Sequence, residues 1–186
     1  MKIDYEIKIV TFNGIYEPAE DSYMLIESIN ARKGEKALDM GCGTGIVALH
    51  LAKYCDTLAV DLNEEAVKNA EYNALLNKIK IRLARSNLFS NIKEKFDLIA
   101  FNPPYLPTYN ENVAWDGGRN GIEIITKFFM KAKNYLDKNG RIYFVISSVA
   151  NIDTILKKFS RIYKFKKLME RSFFFEKLYV YIARQN

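Results

Sequence analysis

The chain has one histidine, two cysteines and four prolines in 186 residues, and each scarcity removes a class of function. With His50 alone, a histidine-clustered metal site has no ligand set and a Ser-His-Asp mechanism has no base to spare. Cys42 and Cys55 are too few for a disulfide framework or a zinc site. No apolar run approaches the ~18–20 residues of a membrane-spanning helix. The opening Met1-Lys2-Ile3-Asp4-Tyr5-Glu6 sets acids where a secretory signal needs an apolar core. There is no internal repeat, low-complexity tract or Pro/Gly/Ser-rich linker. The expectation is one cytoplasmic, metal-free domain over 1–186, with no membrane association.

What is present has a globular balance, 49% hydrophobic and 27% charged. An excess of 28 Lys+Arg over 22 Asp+Glu permits an anionic partner without requiring one. Short apolar runs alternate with helical patterns. Lys36–Met40, Thr57–Val60, Phe96–Phe101 and Arg141–Ile146 read as buried strands, the last following a turn at Asn139-Gly140. Between them, Asn63 is placed to cap a helix opened by Glu64 and Glu65, and Ile46–Tyr54 and Ile122–Leu136 read as further helices. Strands alternating with helices predict a doubly wound, mostly parallel α/β sheet. At the C-terminus, Phe173-Phe174-Phe175 and Leu178–Ile182 are expected to pair as an antiparallel edge hairpin.

Two motifs carry chemistry. Asp39-Met40-Gly41-Cys42-Gly43-Thr44-Gly45 ends the first strand and opens a helix, where glycines let a ligand approach the backbone and free N–H groups point outward. The glycines do not follow the dinucleotide pattern, since Ile46 stands where its third glycine belongs, and no Walker lysine follows. Asp39 before the loop repels a pyrophosphate but suits an ammonium group. Asp61, at the end of the next strand, is placed to accept ribose hydroxyls. An acid at each place reads as S-adenosyl-L-methionine, a cationic nucleoside.

The second motif, Asn102-Pro103-Pro104-Tyr105, follows the fourth strand directly. A planar amide or exocyclic amine is a poor nucleophile because its lone pair is delocalised. The Asn102 side-chain oxygen and the Pro103 carbonyl can accept its two N–H groups and localise that pair, the prolines hold both acceptors still, and Tyr105 can stack on the plane. This selects a planar nitrogen, whether a base amino group or a glutamine side chain, without choosing between them.

At these residues the chain resembles the class I S-adenosylmethionine methyltransferases, and more narrowly the HemK-type protein glutamine methyltransferases that modify class 1 translation release factors. Four blocks carry the resemblance: Tyr16-Glu17-Pro18-Ala19-Glu20-Asp21-Ser22, the glycine loop, Asn102–Tyr105, and Ala114-Trp115-Asp116-Gly117-Gly118-Arg119-Asn120-Gly121. The first resembles the short eukaryotic and archaeal branch, which lacks the helical N-terminal domain of bacterial relatives. The resemblance implies a seven-stranded sheet. It also implies that Ser22 lies near the methionine end of the cofactor, that Asp39 holds its amino group, that Gly41 and Gly43 allow close approach, and that Asp61 binds the ribose. Asn87 and Leu88 would meet the adenine, with Asn87 standing where the family usually has an acid. Asn102 and Pro103 would bind the substrate amide and Tyr105 pack on it. Residues 1–35 would cover the cofactor. A small zinc-binding activator subunit is implied as partner, docked on an edge strand at Ile79–Ala84.

Rival readings are a nucleic-acid amino-group methyltransferase, against which no target-recognition domain is appended, and a non-catalytic cofactor-binding scaffold, against which Asn102–Tyr105 is intact. A lysine-methylating side activity belongs to some members of the branch. Leu106–Asn120 is aperiodic, and Trp115 in it reads as a lid anchor. Pro18 is expected in the first turn of a helix. The basic run Lys157, Lys158, Arg161, Lys164, Lys166, Lys167, Arg171, opposed only by Glu170, reads as a solvated helix face or as contact with an RNA-bound or acidic surface.

Overall fold

The apolar runs are strands: β1 (Lys36–Met40), β2 (Asp56–Asp61), β3 (Arg82–Arg85), β4 (Phe96–Phe101) and β5 (Leu136–Ser147), followed by β6 (Tyr163–Ser172) and β7 (Lys177–Gln185). Helices α1 (Glu20–Ser28), α2 (Ile46–Leu51), α3 (Glu64–Asn77), α4 (Glu123–Ala132) and α5 (Ile152–Phe159) complete the elements. The computed structural model describes residues 1–105 and 121–186, and its sheet has the order β3-β2-β1-β4-β5-β7-β6. The pairs from β3 to β5 are parallel, and β7 runs antiparallel to both β5 and β6. The order reverses at β1, which pairs with β2 on one side and β4 on the other, so a crevice opens beyond the carboxyl ends of these strands.

Alternation along the strands feeds two apolar layers. Leu38, Ile99 and Phe101 join Phe128 and Phe129 of α4 and Ile155 and Phe159 of α5 on one face. Ala37, Leu98 and Ala100 join Leu25 and Ile26 of α1 and Val47 and Leu51 of α2 on the other. α3 sits close over Cys42, Ala48 and Ala59 through Ala70, all small side chains. That approach is why Gly45 has to be glycine: a Cβ there would lie 2.9 Å from the Ala70 Cβ, and its φ is 83°.

The first residues are laid along α3 by a device the hydrophobic pattern does not reveal. Asn69, Asn73 and Asn77 accept from the backbone N–H groups of Phe12, Val10 and Lys8 at 2.9, 2.9 and 2.8 Å. Asn69 and Asn77 donate back to the Val10 and Lys8 carbonyls at 2.7 Å. Four residues of helix rise ~6 Å and two residues of extended chain span ~6.6 Å, so the two spacings nearly match. The segment then turns at Gly14, φ 78°, toward the crevice.

Several expectations need correction. The C-terminal hairpin exists, but β6 is Tyr163–Ser172 and Phe173–Phe175 lie in the turn. Alternating Tyr163, Phe165 and Met169 pack inward, so Lys164, Lys166, Lys167 and Arg171 lie on a strand, whereas Lys157 and Lys158 close α5 and Arg161 falls between the two elements. The charges of this basic run are also less free than expected: Arg171 pairs with Glu20 and Glu27, and Lys167 with Glu170. α1 begins at Glu20 after Ala19, leaving Pro18 outside the helix. α2 ends at Leu51, and α4 gives way at Lys133–Tyr135 to a 3-10 turn. Asn139-Gly140 falls inside β5, where the register with β4 shifts between Phe96 and Leu98. Strand β3 starts at Arg82 rather than Ile79, and it is an edge strand as read. Trp115 and the whole of the loop Leu106–Asn120 assigned to it lie outside the described residues. Among the described residues, no helix is long and apolar enough to cross a membrane and no group of His, Cys, Asp or Glu is arranged to hold a metal ion.

Candidate functional site

A cleft of about 400 Å³ opens at the strand-order reversal, a size that suits a nucleoside-sized ligand. Its wall is drawn from three of the four blocks that carry the resemblance, together with the ends of β2 and β3. Ser22, Asp39, Gly41, Gly43, Asp61, Asn87, Leu88, Asn102, Pro103 and Tyr105 all line it. Gly14, Ile15, Tyr16 and Pro18 add the N-terminal segment to the same wall.

The glycine loop does not present its amides as expected. The Gly41 and Cys42 N–H groups donate to the Val60 carbonyl at 2.8 and 3.0 Å, and the Gly43 N–H donates to Asp61 Oδ2 at 3.0 Å. In α2 the Ala48 N–H donates to Asp39 Oδ2 at 3.0 Å. An anion cradle needs free donors, and here they are directed at the protein's own acceptors. The glycines of the loop therefore offer close approach, while the Gly41, Cys42 and Gly43 N–H groups are not available to a ligand. Beneath it, a Cβ on Gly41 would meet the Phe101 ring at 3.6 Å, at a φ of 68°.

The two acids of the cleft are held back from ionising. Asp39 is 3% exposed, and burial, reinforced by the nearby Asp61, pushes its carboxyl up to about 8 against the single Ala48 hydrogen bond. Burial also raises Asp61, despite donors from Gly43, Asn63 and Leu62. The Cys42 thiol is driven well up by burial and by both acids. An Asp39 with one hydrogen bond and an Asp61 whose ionisation burial opposes, beside a loop whose Gly41, Cys42 and Gly43 N–H groups are taken, fit a ligand that brings its own cation and hydroxyls. S-adenosylmethionine has both.

At the other end stands Asn102. Its Oδ1 is buried and has no hydrogen-bond partner among the described residues. A buried acceptor left unpaired costs ~1–3 kcal/mol, which an incoming donor would recover. Pro103 beside it is buried.

Tyr105 is fixed by a residue to which the sequence reading gave no role. Asp21, 3% exposed, accepts from the Tyr105 and Tyr16 hydroxyls on the same Oδ2, each at 2.9 Å. Its Oδ1 accepts from the Ser22 N–H at 2.6 Å and from Ser22 Oγ at 3.2 Å. Burial and the Asp21 charge hold both phenols far above their ordinary range, so both remain donors. One carboxylate thus joins the N-terminal segment, Ser22 and the Asn102–Tyr105 loop. The signal available in the sequence was a buried-helix acid flanked by Tyr16 and Ser22, with no basic residue near it to pair.

Ser86 was not singled out, and Gly121 only closed one of the four blocks that carry the resemblance. Ser86, 2% exposed, donates through Oγ to the Leu88 carbonyl at 2.6 Å and accepts from the Asn91 N–H at 3.1 Å. This pins Leu88 at φ 50°, a left-handed conformation that costs a non-glycine residue ~1 kcal/mol or more. Gly121, at φ 65°, touches the Tyr105 backbone so closely that a Cβ would fall 2.2 Å from its carbonyl oxygen. His50 takes no part in the cleft: its Nε2 accepts from the Asp4 N–H at 3.0 Å and its Nδ1 donates to the Ile46 carbonyl at 2.8 Å.

A doubly wound seven-stranded sheet, a glycine loop between two acids, and Asn-Pro-Pro-Tyr at the reversal point together define a class I methyltransferase. The chain belongs to the methyltransferase small domain family, whose model matches residues 6–172. It is 39% identical over 161 residues to a Methanocaldococcus jannaschii protein named as an N5-glutamine methyltransferase, covering 82% of each chain. It is 34% identical over 166 residues to the methyltransferase HEMK2 of Homo sapiens, covering 78% of each. Among solved structures it is similar to the E. cuniculi Mtq2–Trm112 complex responsible for methylation of the translation termination factor eRF1, with a TM-score of 0.79, 25% identity, and coverage of 93% of this chain and 99% of that one. With these relatives it is an N-methyltransferase of the HemK type.

Proposed function

We propose that this chain transfers a methyl group from S-adenosyl-L-methionine to the side-chain amide nitrogen of the glutamine in the Gly-Gly-Gln segment of a class 1 translation release factor. The observation that carries this reading is the buried, unpartnered Asn102 Oδ1 at the cleft. An amide NH₂ brings two donors in one plane. Asn102 Oδ1 takes one and the Pro103 carbonyl the other, which turns the nitrogen lone pair out of conjugation and toward the cofactor. Tyr105, its hydroxyl held by Asp21 at 2.9 Å, sets the tilt of that plane. The cofactor, when bound, supplies an electrophilic methyl on a positively charged sulfur. Asp39 holds its ammonium group, Asp61 its ribose hydroxyls, Asn87 and the Leu88 N–H its adenine, and Ser22 the methionine end, while Gly41 and Gly43 admit it closely. Residues 1–35 form the cover over this site.

Two features of the surface support an activator subunit, as in the Mtq2–Trm112 neighbour. β3 is an edge with no further strand paired to it among the described residues, and the end of α3 beside it exposes Tyr72, Leu75 and Leu76, with Leu75 74% exposed. A partner adding a strand to β3 would bury these side chains. Its zinc-binding character follows from the resemblance alone.

The deciding experiment is methyl transfer from labelled cofactor to a recombinant release factor, to the same factor with its target glutamine replaced by alanine, and to DNA and RNA, with the product digested to locate the methyl. Label confined to the glutamine supports the reading. Equal label on nucleic acid moves the assignment to a base amino group.

A further inference from the structure

The turn between β6 and β7 breaks the chemistry of turns. Hairpin turns favour Gly, Asn, Asp and Pro, because their backbones or short polar side chains suit the reversal. Here the reversal is made by Phe173, Phe174, Phe175 and Glu176, closed by the Phe173 N–H donating to the Glu176 carbonyl at 2.8 Å. Phe174 and Phe175 are 92% and 88% exposed. Their rings meet edge to face at 4.7 Å, so their nearest aromatic partner is each other. Neither belongs to the apolar layers of the sheet. Places where a sequence departs from local rules without a gain in the fold are places to look for function.

The next residue ties the tip to the site. Glu176 lines the cleft together with Tyr105, and its carboxylate accepts from the Ser147 hydroxyl. Lys177 N–H donates to Ser148 Oγ at 2.9 Å, so the base of the hairpin is anchored at the end of β5. The aromatic tip therefore stands beside the mouth of the cleft on a fixed stem. A side chain that reaches Asn102 is carried by a backbone lying across that mouth, and its flanking surface must pass the tip.

We infer that Phe174 and Phe175 form a docking tip for the protein substrate, packing on an apolar part of its surface next to the glutamine that enters the cleft. This rests on the function proposed above and adds to it the source of affinity for an intact protein. Aromatic anchors are the residues most often responsible for such affinity. The cleft itself grips only one side chain, so the tip separates recognition of the protein from recognition of the amide.

The test is steady-state transfer to the intact release factor by the full chain and by a Phe174→Ser, Phe175→Ser double variant, with a short peptide of the target loop as second substrate. KM for the intact factor is expected to rise about tenfold in the variant. Its kcat, the cofactor Kd, the melting temperature and the rate on the peptide stay unchanged, and Phe174→Trp with Phe175→Trp restores KM. Unchanged KM for the intact factor overturns the docking tip while leaving the methyl-transfer reading intact. A loss of cofactor affinity or of melting temperature overturns it as well, because the tip is then part of the fold. Failure of the unaltered chain to methylate the release factor at all overturns the function and, with it, this occupant.

Discussion

Proton release on cofactor binding is the sharpest consequence of the buried Asp39. Its carboxyl has one hydrogen bond, from the Ala48 N–H, and sits beside Asp61, which together with burial places its pKa at about 8. At pH 7 the protein alone therefore carries the carboxylate in roughly one molecule in ten. An ammonium group on the ligand binds the carboxylate, so binding at pH 7 expels close to one proton. The ligand's own α-amino group titrates near ~8 and must stay protonated. Affinity is thus expected to rise up to about tenfold per pH unit from pH 6, to peak near pH 8, and to fall beyond it. Calorimetry with S-adenosylmethionine in buffers of different ionisation enthalpy reads the proton count directly: release at pH 7, none near 8, uptake at 9. In Asp39→Asn the acid limb disappears and binding is weaker above pH 8. The same carboxyl affects stability with a definite sign. Its folded pKa is raised above the unfolded value, so its contribution is complete below pH ~4 and is lost as pH rises toward 8, at up to about 1.4 kcal/mol per unit. A Kd that is flat from pH 6 to 8 with no proton released would refute Asp39 as the ammonium partner.

Four other perturbations follow from the same geometry. Asn102→Ala is expected to lower kcat by about 10²–10³ while cofactor affinity moves less than a few-fold; a mutant that fails to bind cofactor yet turns over normally once loaded would show the role to be misassigned. Asp21→Ala strands the Tyr16 and Tyr105 hydroxyls, which costs about 1–3 kcal/mol of stability and lowers kcat; melting and rate measured on Tyr16→Phe, Tyr105→Phe and the double variant should be non-additive, and strict additivity argues against a shared carboxylate. Gly121→Ala, whose Cβ would lie 2.2 Å from the Tyr105 carbonyl oxygen, should cost activity far more than melting temperature, because the loop can shift but its acceptors then miss. Leu75→Asp with Leu76→Asp should abolish co-purification of an activator subunit, and undiminished capture would sink edge docking.

Substituting the edge strand itself is a poorer test, and the reason bears on what the sequence reveals. Ile81 and Leu83 alternate with Lys80 and Arg82, which reads as an amphipathic edge. The structure packs Ile81 and Leu83 against Cys42, Ala48, Ala59 and Ala70, so aspartate there would damage the layer under α3 instead of the partner surface. Periodicity identified the strand but not how deeply its apolar face is buried. The sheet was otherwise legible because each strand of the site is a buried apolar run ending in a residue with chemistry: Asp39 after Leu38, Asp61 after Val60, Asn102 after Phe101. What was not legible depends on contacts distant in sequence. Asp21 and Tyr105 are 84 residues apart, and Asn73 reaches back 63 residues to Val10. The C-terminal hairpin was misplaced because three consecutive phenylalanines read as strand, whereas the apolar face of β6 comes from the sparser Tyr163, Phe165 and Met169.

The direction of the glycine-loop amides decides between ligand classes more firmly than the glycines do. A phosphate-binding loop needs donors free at a helix N-terminus. Here those of Gly41, Cys42, Gly43 and Ala48 are taken by Val60, Asp61 and Asp39. Each bond removes positive potential from the cleft, and two of the four end on carboxyl oxygens, which carry negative charge once ionised. The same two carboxyl groups are held off their ordinary range by burial, so the cleft is most stable when a cation arrives. At the far end the balance inverts, since Asn102 Oδ1 is an acceptor awaiting a neutral donor. A site with charge at one end and an unpaired neutral acceptor at the other separates two tasks. On the proposed function the acidic half binds by ionisation and is tuned by pH. The amide half binds by orientation and should be indifferent to pH, so the pH dependence of kcat/KM for the cofactor and for the protein substrate should differ, with only the first following Asp39.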